Sequence, residues 1–312
     1  MFRLRLVPQK TNIPFIGIRN ITFALSGLLT VASIVLYLTA GLNYGIDFRG
    51  GTMIEIGTEA ASDVSRIRTI VSGLGLGDVA VQTFGSDNAV LIRLEQSAGG
   101  EQAQQKAVTD VKAALDKEYG APVTYRRIEL VGPKVSSDLV NAGVLAVVLA
   151  VAAMLVYVWF RFEWQFGVGS VIALVHDVAM TIGIFSLLQL EFNLAIIAAI
   201  LTIVGYSMND TVVVYDRVRE NLRKYKKMPL DELLNLAINE TLSRTTMTSF
   251  TTLVALTTLF IFGGEVIRGF TFAMIWGIFI GTYSSIFIAA PFLLLVGVKR
   301  DWSDLNAAGA KS

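Results

Sequence analysis

Residues 205–221 read GYSMNDTVVVYDRVREN and mark the point at which an apolar segment becomes polar. The residues before them, 192–204, are almost purely apolar, and residues 222–227 are mostly basic. A membrane helix is therefore predicted to leave the bilayer here, carrying Asn209 and Asp210 before it ends. A carboxylate inside a membrane costs about 2.5–3.5 kcal/mol on insertion scales, and such residues usually serve transport or proton relay. The alternative is that Asp210 only joins two helices.

The composition sets the class of protein. The chain has 312 residues, 54% of them hydrophobic, and a mean hydropathy of +0.60, which is too apolar for an ordinary soluble protein. The net charge of +1 gives no reason to expect a nucleic-acid partner. The absence of cysteine excludes disulfides, zinc–thiolate sites and thiol catalysis, and the single histidine, His176, cannot build a multi-histidine metal site. No P-loop is present either, so we expect no cofactor, no metal and no enzymatic activity.

Six apolar segments have about the 20 residues that a helix needs to span a bilayer. They are residues 21–42, 139–160, 166–190, 192–215, 245–263 and 270–297. The expected fold class is an α-helical integral membrane protein with six transmembrane helices. Before the fifth span, residues 229–243 are amphipathic, and this segment is predicted either to lie along the inner membrane surface or to pack on neighbouring cytoplasmic loops.

The basic residues predict the orientation. Lysine and arginine are concentrated in residues 1–20, after the fourth span and after the sixth, whereas the short loops on the other side contain only Arg268. By the positive-inside rule, the N-terminal segment 1–20 and the C-terminal tail 299–312 are both expected in the cytoplasm.

Residues 43–138, between the first two spans, have the character of a small soluble domain. Period-2 and helical apolar patterns alternate along it in the order β-α-β-β-α-β, which is typical of a ferredoxin-like fold. The predicted elements are residues 52–57, 61–74, 79–84, 88–94, 101–119 and 123–131. We expect this domain on the outer, extracytoplasmic side of the membrane.

Polar residues at matched depth suggest a path for protons. Counting about 20 residues along the fourth and fifth spans places Asp210 and Arg244 near the same inner edge, where they can pair. Asp177 lies roughly 17 Å into the third span at 1.5 Å per residue, so it can continue the path outward. Arginine stays charged and can bias Asp210 without carrying the proton. His176 either joins this path or only makes an interhelical hydrogen bond.

Six hydroxyl residues of the fifth span have two possible roles. They can hold water beside Asp210, or they can allow close helix packing as small residues do. These residues are Thr245, Thr246, Thr248, Ser249, Thr251 and Thr252.

Two motifs resemble a known family. Residues 45–52, GIDFRGGT, contain Asp47, Phe48, Gly50 and Gly51 and resemble the Asp-Phe-x-Gly-Gly signature of the SecD and SecF family of protein-export membrane proteins. Residues 205–220 and the Ser-Arg-Thr that opens the fifth span resemble its SecF branch, as does the single small outer domain. The two glycines allow a sharp turn that can act as a hinge or simply lead into the first strand.

The resemblance implies a function and its partners. It implies a subunit of the resistance–nodulation–division superfamily in the bacterial inner membrane, with residues 43–138 in the periplasm. It also implies that proton flow assists a translocating polypeptide. The implied partners are SecD, the SecYEG channel with SecA, and in some systems YajC and a membrane insertase.

The resemblance also implies residue roles. By motif, Asp210 and Arg244 are the candidates for the proton relay. Asp177, because of its depth in the third span, and Asn209, beside Asp210, are further candidates for the relay. Further along the same stretch, Asp216 and Arg217 are candidates for coupling or gating, together with His176. Two other functions stay open, namely a proton-coupled exporter of small molecules or lipids and a passive scaffold.

Overall fold

The computed structural model describes residue 8 and residues 11–58, 61–96, 99–119 and 123–298. The predicted tail 299–312 lies outside these residues, as does most of the segment 1–10. The chain divides into two compact units, and the smaller contains Asn43–Val147 and Leu190–Ile197. The larger contains the described residues up to Leu42, Val148–Gln189 and those from Ala198 onward.

The described elements alternate between long helices and one short-stranded region. In chain order the helices are α1 (Arg19–Ala40), α2 (Ile46–Arg49), α3 (Val64–Ser72), α4 (Gly100–Tyr119), α5 (Pro133–Arg161), α6 (Trp164–Leu188), α7 (Leu194–Lys224), α8 (Leu230–Phe262), α9 (Arg268–Ser284) and α10 (Ala290–Val296). The strands are β1 (Asn43–Tyr44), β2 (Gly51–Gly57), β3 (Val79–Phe84), β4 (Ser86–Leu94), β5 (Thr124–Val131) and β6 (Glu191–Phe192).

The prediction of six membrane helices is confirmed. In the described part of the chain, six helical segments are long and apolar enough to cross a membrane. The sixth combines α9, a π-helical turn at Ser285–Ala289 and α10.

The fifth span differs from its prediction. The amphipathic segment 229–243 and the span 245–263 form one uninterrupted helix, α8. The physical reason is that no glycine or proline lies between Leu230 and Phe262, so nothing in the sequence ends a helix at Ser243. Pro229 occupies the N-cap position, where it does no harm.

Two other spans are longer than their apolar segments. Helix α5 begins at Pro133, six residues before the predicted 139–160, because proline is accepted in the first turn. Helix α7 continues to Lys224, beyond the predicted 192–215. Hydropathy identifies only the apolar part of a helix. The helix itself is longer, because its backbone hydrogen bonds continue into the polar ends.

The smaller unit is built on a four-stranded antiparallel sheet with strand order β3-β4-β2-β5. Helices α3 and α4 cover one face, where Ile67 and Leu115 are completely buried against Ile54 and Ile92. Strand β2 is buried along its whole length because it is central and both of its faces are covered.

A second, two-stranded sheet in this unit was not predicted. Strand β1 pairs in parallel with β6, joining Asn43 to Glu191 and Tyr44 to Phe192. The predicted spans 166–190 and 192–215 leave only residue 191 between the third and fourth helices. A two-residue strand has too short a pattern to be recognised from period-2 alternation.

In the larger unit, glycines bring α9 close to α7. A Cβ on Gly277 would lie 2.3 Å from the Ile203 side chain, and one on Gly281 would lie 3.0 Å from Ser207 Cβ. Small residues four apart allow two membrane helices to approach closely. This contact brings the C-terminal end of α9 beside the polar residues of α7.

Candidate functional site

Asp210 lies inside the larger unit with only 7% of its surface exposed. It occurs on α7, and its two carboxylate oxygens accept hydrogen bonds from two other helical segments. Thr245 of α8 donates to Oδ1 at 2.6 Å, and Ser285, at the start of the π-helical turn, donates to Oδ2. Hydrogen bonds to an ionised group are the strong ones, so these two donors offset part of the cost of burying the carboxylate.

Asp177 on α6 is completely buried. Its Oδ2 accepts hydrogen bonds from Ser207 of α7 at 2.5 Å and from Ser284 of α9 at 2.8 Å. Its Oδ1 lies 3.0 Å from His176 Nδ1. His176 therefore joins the predicted group through its neighbour in sequence, and its ring also faces Tyr283, with the centroids 6.1 Å apart.

The predicted ion pair between Arg244 and Asp210 is absent from the described part of the chain. Arg244 is exposed on α8, and its guanidinium is outside ion-pair distance of the carboxylate, although its charge still acts on Asp210 through space. The adjacent residue, Thr245, makes the contact with the Asp210 carboxylate that the sequence predicted for Arg244. The pairing was predicted from depth along each span, and depth does not specify which side of a helix a residue faces.

Asn209, the other relay candidate of this stretch, lies on a different side of α7 from Asp210. Its side chain is exposed, whereas Asp210 is buried. Successive residues of an α-helix point about 100° apart, so neighbours in sequence face different surroundings.

Of the six hydroxyls on α8, only Thr245 contacts a carboxylate among the described hydrogen bonds. Thr248, Thr251 and Thr252 donate to carbonyls of their own helix. Ser249 bonds to Thr282 at 2.7 Å and so links α8 to α9.

The candidates for coupling, Asp216 and Arg217, lie in ion pairs at the polar end of α7. Asp216 accepts from Arg161 at 2.8 Å. Arg217 donates to Glu240 at 2.9 Å and to Glu220 at 2.6 Å. These pairs join α7 to the end of α5 and to α8.

The Asp-Phe-x-Gly-Gly residues belong to the smaller unit, whereas the two buried carboxylates belong to the larger. Asp47 Oδ2 accepts from the backbone N–H of Leu194, the first residue of α7, at 2.9 Å. A carboxylate at a helix N-terminus satisfies a free N–H and interacts favourably with the helix dipole. Phe48 packs on Phe192, with ring centroids 5.9 Å apart.

The two glycines of this motif connect α2 to β2. Gly50 and Gly51 have φ values of 70° and 115°, which residues with a side chain rarely adopt. A Cβ on Gly51 would also lie 2.4 Å from the carbonyl oxygen of Leu94. Glycine is therefore required at Gly51 by both conformation and space.

The arrangement suits proton exchange. Both buried carboxylates are held by neutral hydroxyls, which can donate to an ionised carboxylate or accept from a protonated one. No group of three or more acidic or histidine side chains that could bind a metal occurs in the described chain. Sequence reasoning missed Ser207, Ser284 and Ser285, because a serine in an apolar span carries no signal that separates a ligand of a carboxylate from a packing residue.

Six helical spans with two carboxylates buried among them define a multi-pass membrane protein with an ionisable site inside the membrane. Comparison with known proteins identifies its relatives. The family "Protein export membrane protein SecD/SecF, C-terminal" matches residues 111–299, and the "SecD/SecF GG Motif" matches residues 38–61. The second match contains Asp47, Gly50 and Gly51.

Similar whole proteins include protein translocase subunits SecF of several bacteria. The chain is 49% identical over 305 residues to that of Cereibacter sphaeroides, covering 96% of this chain and 94% of the relative. It is 49% identical to SecF of Rhodobacter capsulatus and 45% identical to that of Rickettsia felis, each covering 96% of this chain and 93% and 97% of the relative. The chain belongs to the SecF family and is a multi-pass bacterial membrane protein.

Solved structures show the same relationship. The crystal structure of SecDF, a translocon-associated membrane protein from Thermus thermophilus, matches with a TM-score of 0.83 and 35% identity, covering 95% of this chain and 40% of that chain. SecDF in a super-membrane-facing form matches with a TM-score of 0.68 and 35% identity, covering 99% and 41%. This chain thus spans less than half the length of those SecDF chains.

Proposed function

We propose that this chain is a non-enzymatic subunit of a SecD–SecF motor that uses inward proton flow to assist protein translocation through the Sec channel. The observation that carries the proposal is the environment of Asp210, a buried carboxylate held by the hydroxyls of Thr245 and Ser285. A hydroxyl pair accommodates both protonation states, whereas an ion pair stabilises only the charged one. Asp210 is the proposed proton carrier, with Asp177 as a second carrier.

Helix α7 is the proposed connection between proton exchange and movement. Its first residue, Leu194, is capped by Asp47, and Asp210 lies sixteen residues further along the same helix. A displacement of α7 that accompanies a change at Asp210 reaches the Asp47 cap without passing through a loop. The turn at Gly50 and Gly51 is the proposed hinge at which the β2 sheet follows this displacement.

The ion pairs at the other end of α7 are the proposed gate. Asp216 and Arg217 link α7 to Arg161 and Glu240 at positions that are partly open to solvent. Such pairs are weak individually and can exchange partners when the helix moves.

We propose that the smaller unit is a ferredoxin-like domain in the periplasm and that both termini are cytoplasmic. Its element order and the strand order β3-β4-β2-β5 support the fold. The basic residues at the C-terminal ends of α5 and α7 and between α7 and α8 support the orientation. This domain is the part expected to contact the emerging polypeptide.

The proposed partners follow from the relatives. SecD is the expected obligate partner, since the SecDF structures contain a chain more than twice as long as the match. SecYEG with SecA, YajC and a membrane insertase are proposed as further partners of the complex. A proton-coupled exporter of small molecules or lipids is the second candidate function, because the same hydroxyl-held carboxylates would serve it equally well.

The test is gradient-stimulated translocation of a secreted protein into inverted membrane vesicles that contain the chain and its partners. Asp210→Asn keeps the shape and one acceptor oxygen, and its amide N–H can donate to the other hydroxyl, but it does not titrate. We expect the variant to insert normally and to lose the stimulation by the gradient. Stimulation equal to that of the parent would contradict the proposal.

Asp231→Asn is the matched control, because it makes the same chemical change at an exposed position in the first turn of α8. It is expected to leave the stimulation unchanged. Co-purification distinguishes the second candidate function, since an exporter would not bring SecD and the Sec channel with it.

A further inference from the structure

A π-helical turn interrupts the last candidate span where it meets both buried carboxylates. The turn runs from Ser285 to Ala289 and is closed by the N–H of Ala290, which donates to the carbonyl of Ser285. Such turns are rare inside α-helices and occur frequently at functional sites. Ser284 and Ser285, the residues at its start, are completely buried.

The two adjacent serines contact carboxylates on two different helices. Ser284 donates to Asp177 of α6 at 2.8 Å, and Ser285 donates to Asp210 of α7. Successive residues of a helix point about 100° apart, so two adjacent serines can donate to side chains on two different helices. The hydrogen bonds of the described chain provide no direct contact between Asp177 and Asp210. Two elements connect them: α7, which carries Asp210 and donates to Asp177 through Ser207, and this turn, whose adjacent serines donate to both carboxylates.

Each serine hydroxyl has a second acceptor within reach. Ser284 Oγ lies 3.2 Å from the carbonyl oxygen of Gly281, and Ser285 Oγ lies 3.1 Å from that of Thr282. A hydroxyl has one proton to donate, so it can make a full hydrogen bond to the carboxylate or to the carbonyl, but not to both at once. When a carboxyl gains a proton, it can donate to the serine oxygen, and the serine proton then turns to the carbonyl.

The carbonyl of Gly281 connects the two serines. It accepts the backbone N–H of Ser285 and also faces the hydroxyl of Ser284. Rotation of the Ser284 hydroxyl onto this carbonyl therefore changes the hydrogen bond that positions Ser285. A protonation event at Asp177 thus alters the donor to Asp210.

The far end of the turn is fixed to α7 as well. The hydroxyl of Tyr215 donates to the carbonyl of Ala289 at 2.9 Å. Tyr215 is completely buried, its ring packs edge-on against Phe166 at 5.0 Å, and a Cβ on Gly169 would lie 2.3 Å from its hydroxyl. The tyrosine has no free space, so the turn can respond at its serine end while its other end stays in place.

We propose that Ser284 and Ser285 are positioning residues that make the protonation of Asp177 and Asp210 interdependent. The inference rests on the proposed function, in which both carboxyls exchange protons. The ionisable groups that face them in the described chain are His176 beside Asp177 and Arg244 acting on Asp210 through space. Neither group touches both carboxyls, whereas the serine turn does.

The experiment is an infrared pH titration of the full chain in lipid membranes, which follows the C=O stretching band of each protonated carboxyl. Difference spectra against Asp177→Asn and Asp210→Asn assign the two bands. We expect Ser285→Ala to move the titration midpoint of Asp210 by about one pH unit, the size that corresponds to one hydrogen bond to a charged group. The midpoint of Asp177, which Ser285 does not touch, is expected to move as well.

Two further variants separate coupling from general disturbance. Thr282→Val removes a neighbouring hydroxyl that bonds only to Ser249, and it is expected to move neither midpoint. Ser285→Thr keeps the hydroxyl and is expected to restore both midpoints. In a Ser284→Ala background, Asp177→Asn is expected no longer to change the titration midpoint of Asp210.

The outcomes distinguish this inference from the proposed function. Suppose that Ser285→Ala moves the titration midpoint of Asp210 alone and that Asp177→Asn never changes that midpoint. The two carboxyls then titrate independently, so the inference is wrong while the proposed function stands. If Asp210 does not titrate at any accessible pH, both fail.

Discussion

Two carboxylates on the same helix are held in opposite ways. Asp210 is buried and accepts only from the neutral hydroxyls of Thr245 and Ser285, whereas Asp216, six residues later, is partly exposed and pairs with Arg161. An arginine partner stabilises the charged carboxylate, but a hydroxyl partner accommodates either state. The difference indicates that α7 combines a site for proton exchange with a site of fixed charge.

The largest effect is expected where a hydroxyl donor is removed from the buried carboxylate. Thr245→Val is nearly isosteric and leaves Asp210 Oδ1 without its donor. We expect the free energy of unfolding to fall by about 1.5–3 kcal/mol, the range for hydrogen bonds to charged groups. Denaturant unfolding of the purified protein measures this loss.

Thr258→Val is the control for that substitution. Thr258 lies on the same helix, is exposed and bonds only to the carbonyl of Val254. Its replacement is expected to change the free energy of unfolding very little. An equal loss in both variants would show that the helix, and not the carboxylate, responds to the missing hydroxyl.

A smaller effect is expected from Arg244, whose charge acts on Asp210 without direct contact. Arg244→Lys keeps the charge and is expected to retain most of the gradient-driven translocation, because a planar fork matters only for a direct carboxylate contact. Arg244→Leu is expected to reduce translocation several-fold. A lysine variant as weak as the leucine variant would show that Arg244 does bind Asp210 directly in another state.

A half-buried carboxyl between two of the candidate spans, that of Glu191, sharpens the comparison. Burial raises the pKa of Glu191 from its usual value of 4.5, Asp47 raises it further, and the nearby Arg93 opposes this. A raised folded-state pKa gives stability that is present below the ordinary value and is lost as the pH rises through the raised one. We expect Glu191→Gln to flatten this decline in thermal stability as the pH rises above the ordinary glutamate value of 4.5.

Glu101→Gln is the control for the pH dependence, since Glu101 is exposed in the first turn of α4. Its variant is expected to follow the parent. If the Glu191→Gln protein loses stability with rising pH as steeply as the parent, then Glu191 is not the group that causes the pH dependence.

The smallest effect is expected at Asp216, the carboxylate that pairs with Arg161. Arg161→Gln removes a partly exposed ion pair, which is worth about 0.2–1 kcal/mol and is screened by salt. We expect a small loss in the free energy of unfolding that disappears at high salt. A loss as large as that of Thr245→Val would mean that the two carboxylates are not held in different ways.

The same comparison shows what the sequence can predict. Long apolar segments predict six spans, and two acidic residues inside them predict the candidate site, because burying a carboxylate without a use is costly. In the smaller unit the six elements predicted between residues 52 and 131 begin and end within three residues of their predicted bounds, whereas β1, α2 and β6 were not predicted. Period-2 and 3.6-residue patterns are strong there because each element has one buried face.

What the sequence cannot predict is which residues meet. Depth counting placed Arg244 and Asp210 at one level, but the direction of each side chain around its helix depends on packing between helices. Ser284 and Ser285 are ordinary serines in an apolar segment, and the π-helical turn that aims them has no periodic signature. The close approach of Gly281 to Ser207, which brings α9 to the site, is likewise visible only in three dimensions.

The most direct test of the central claim is proton entry into proteoliposomes that contain the chain with its SecD partner, recorded with a pH-sensitive dye inside the vesicles. The account predicts that the parent and Asp231→Asn admit protons down an imposed gradient and that Asp210→Asn does not. Proton entry through Asp210→Asn at the rate of the parent would contradict it, because the hydroxyl-held carboxylate would then not be the carrier.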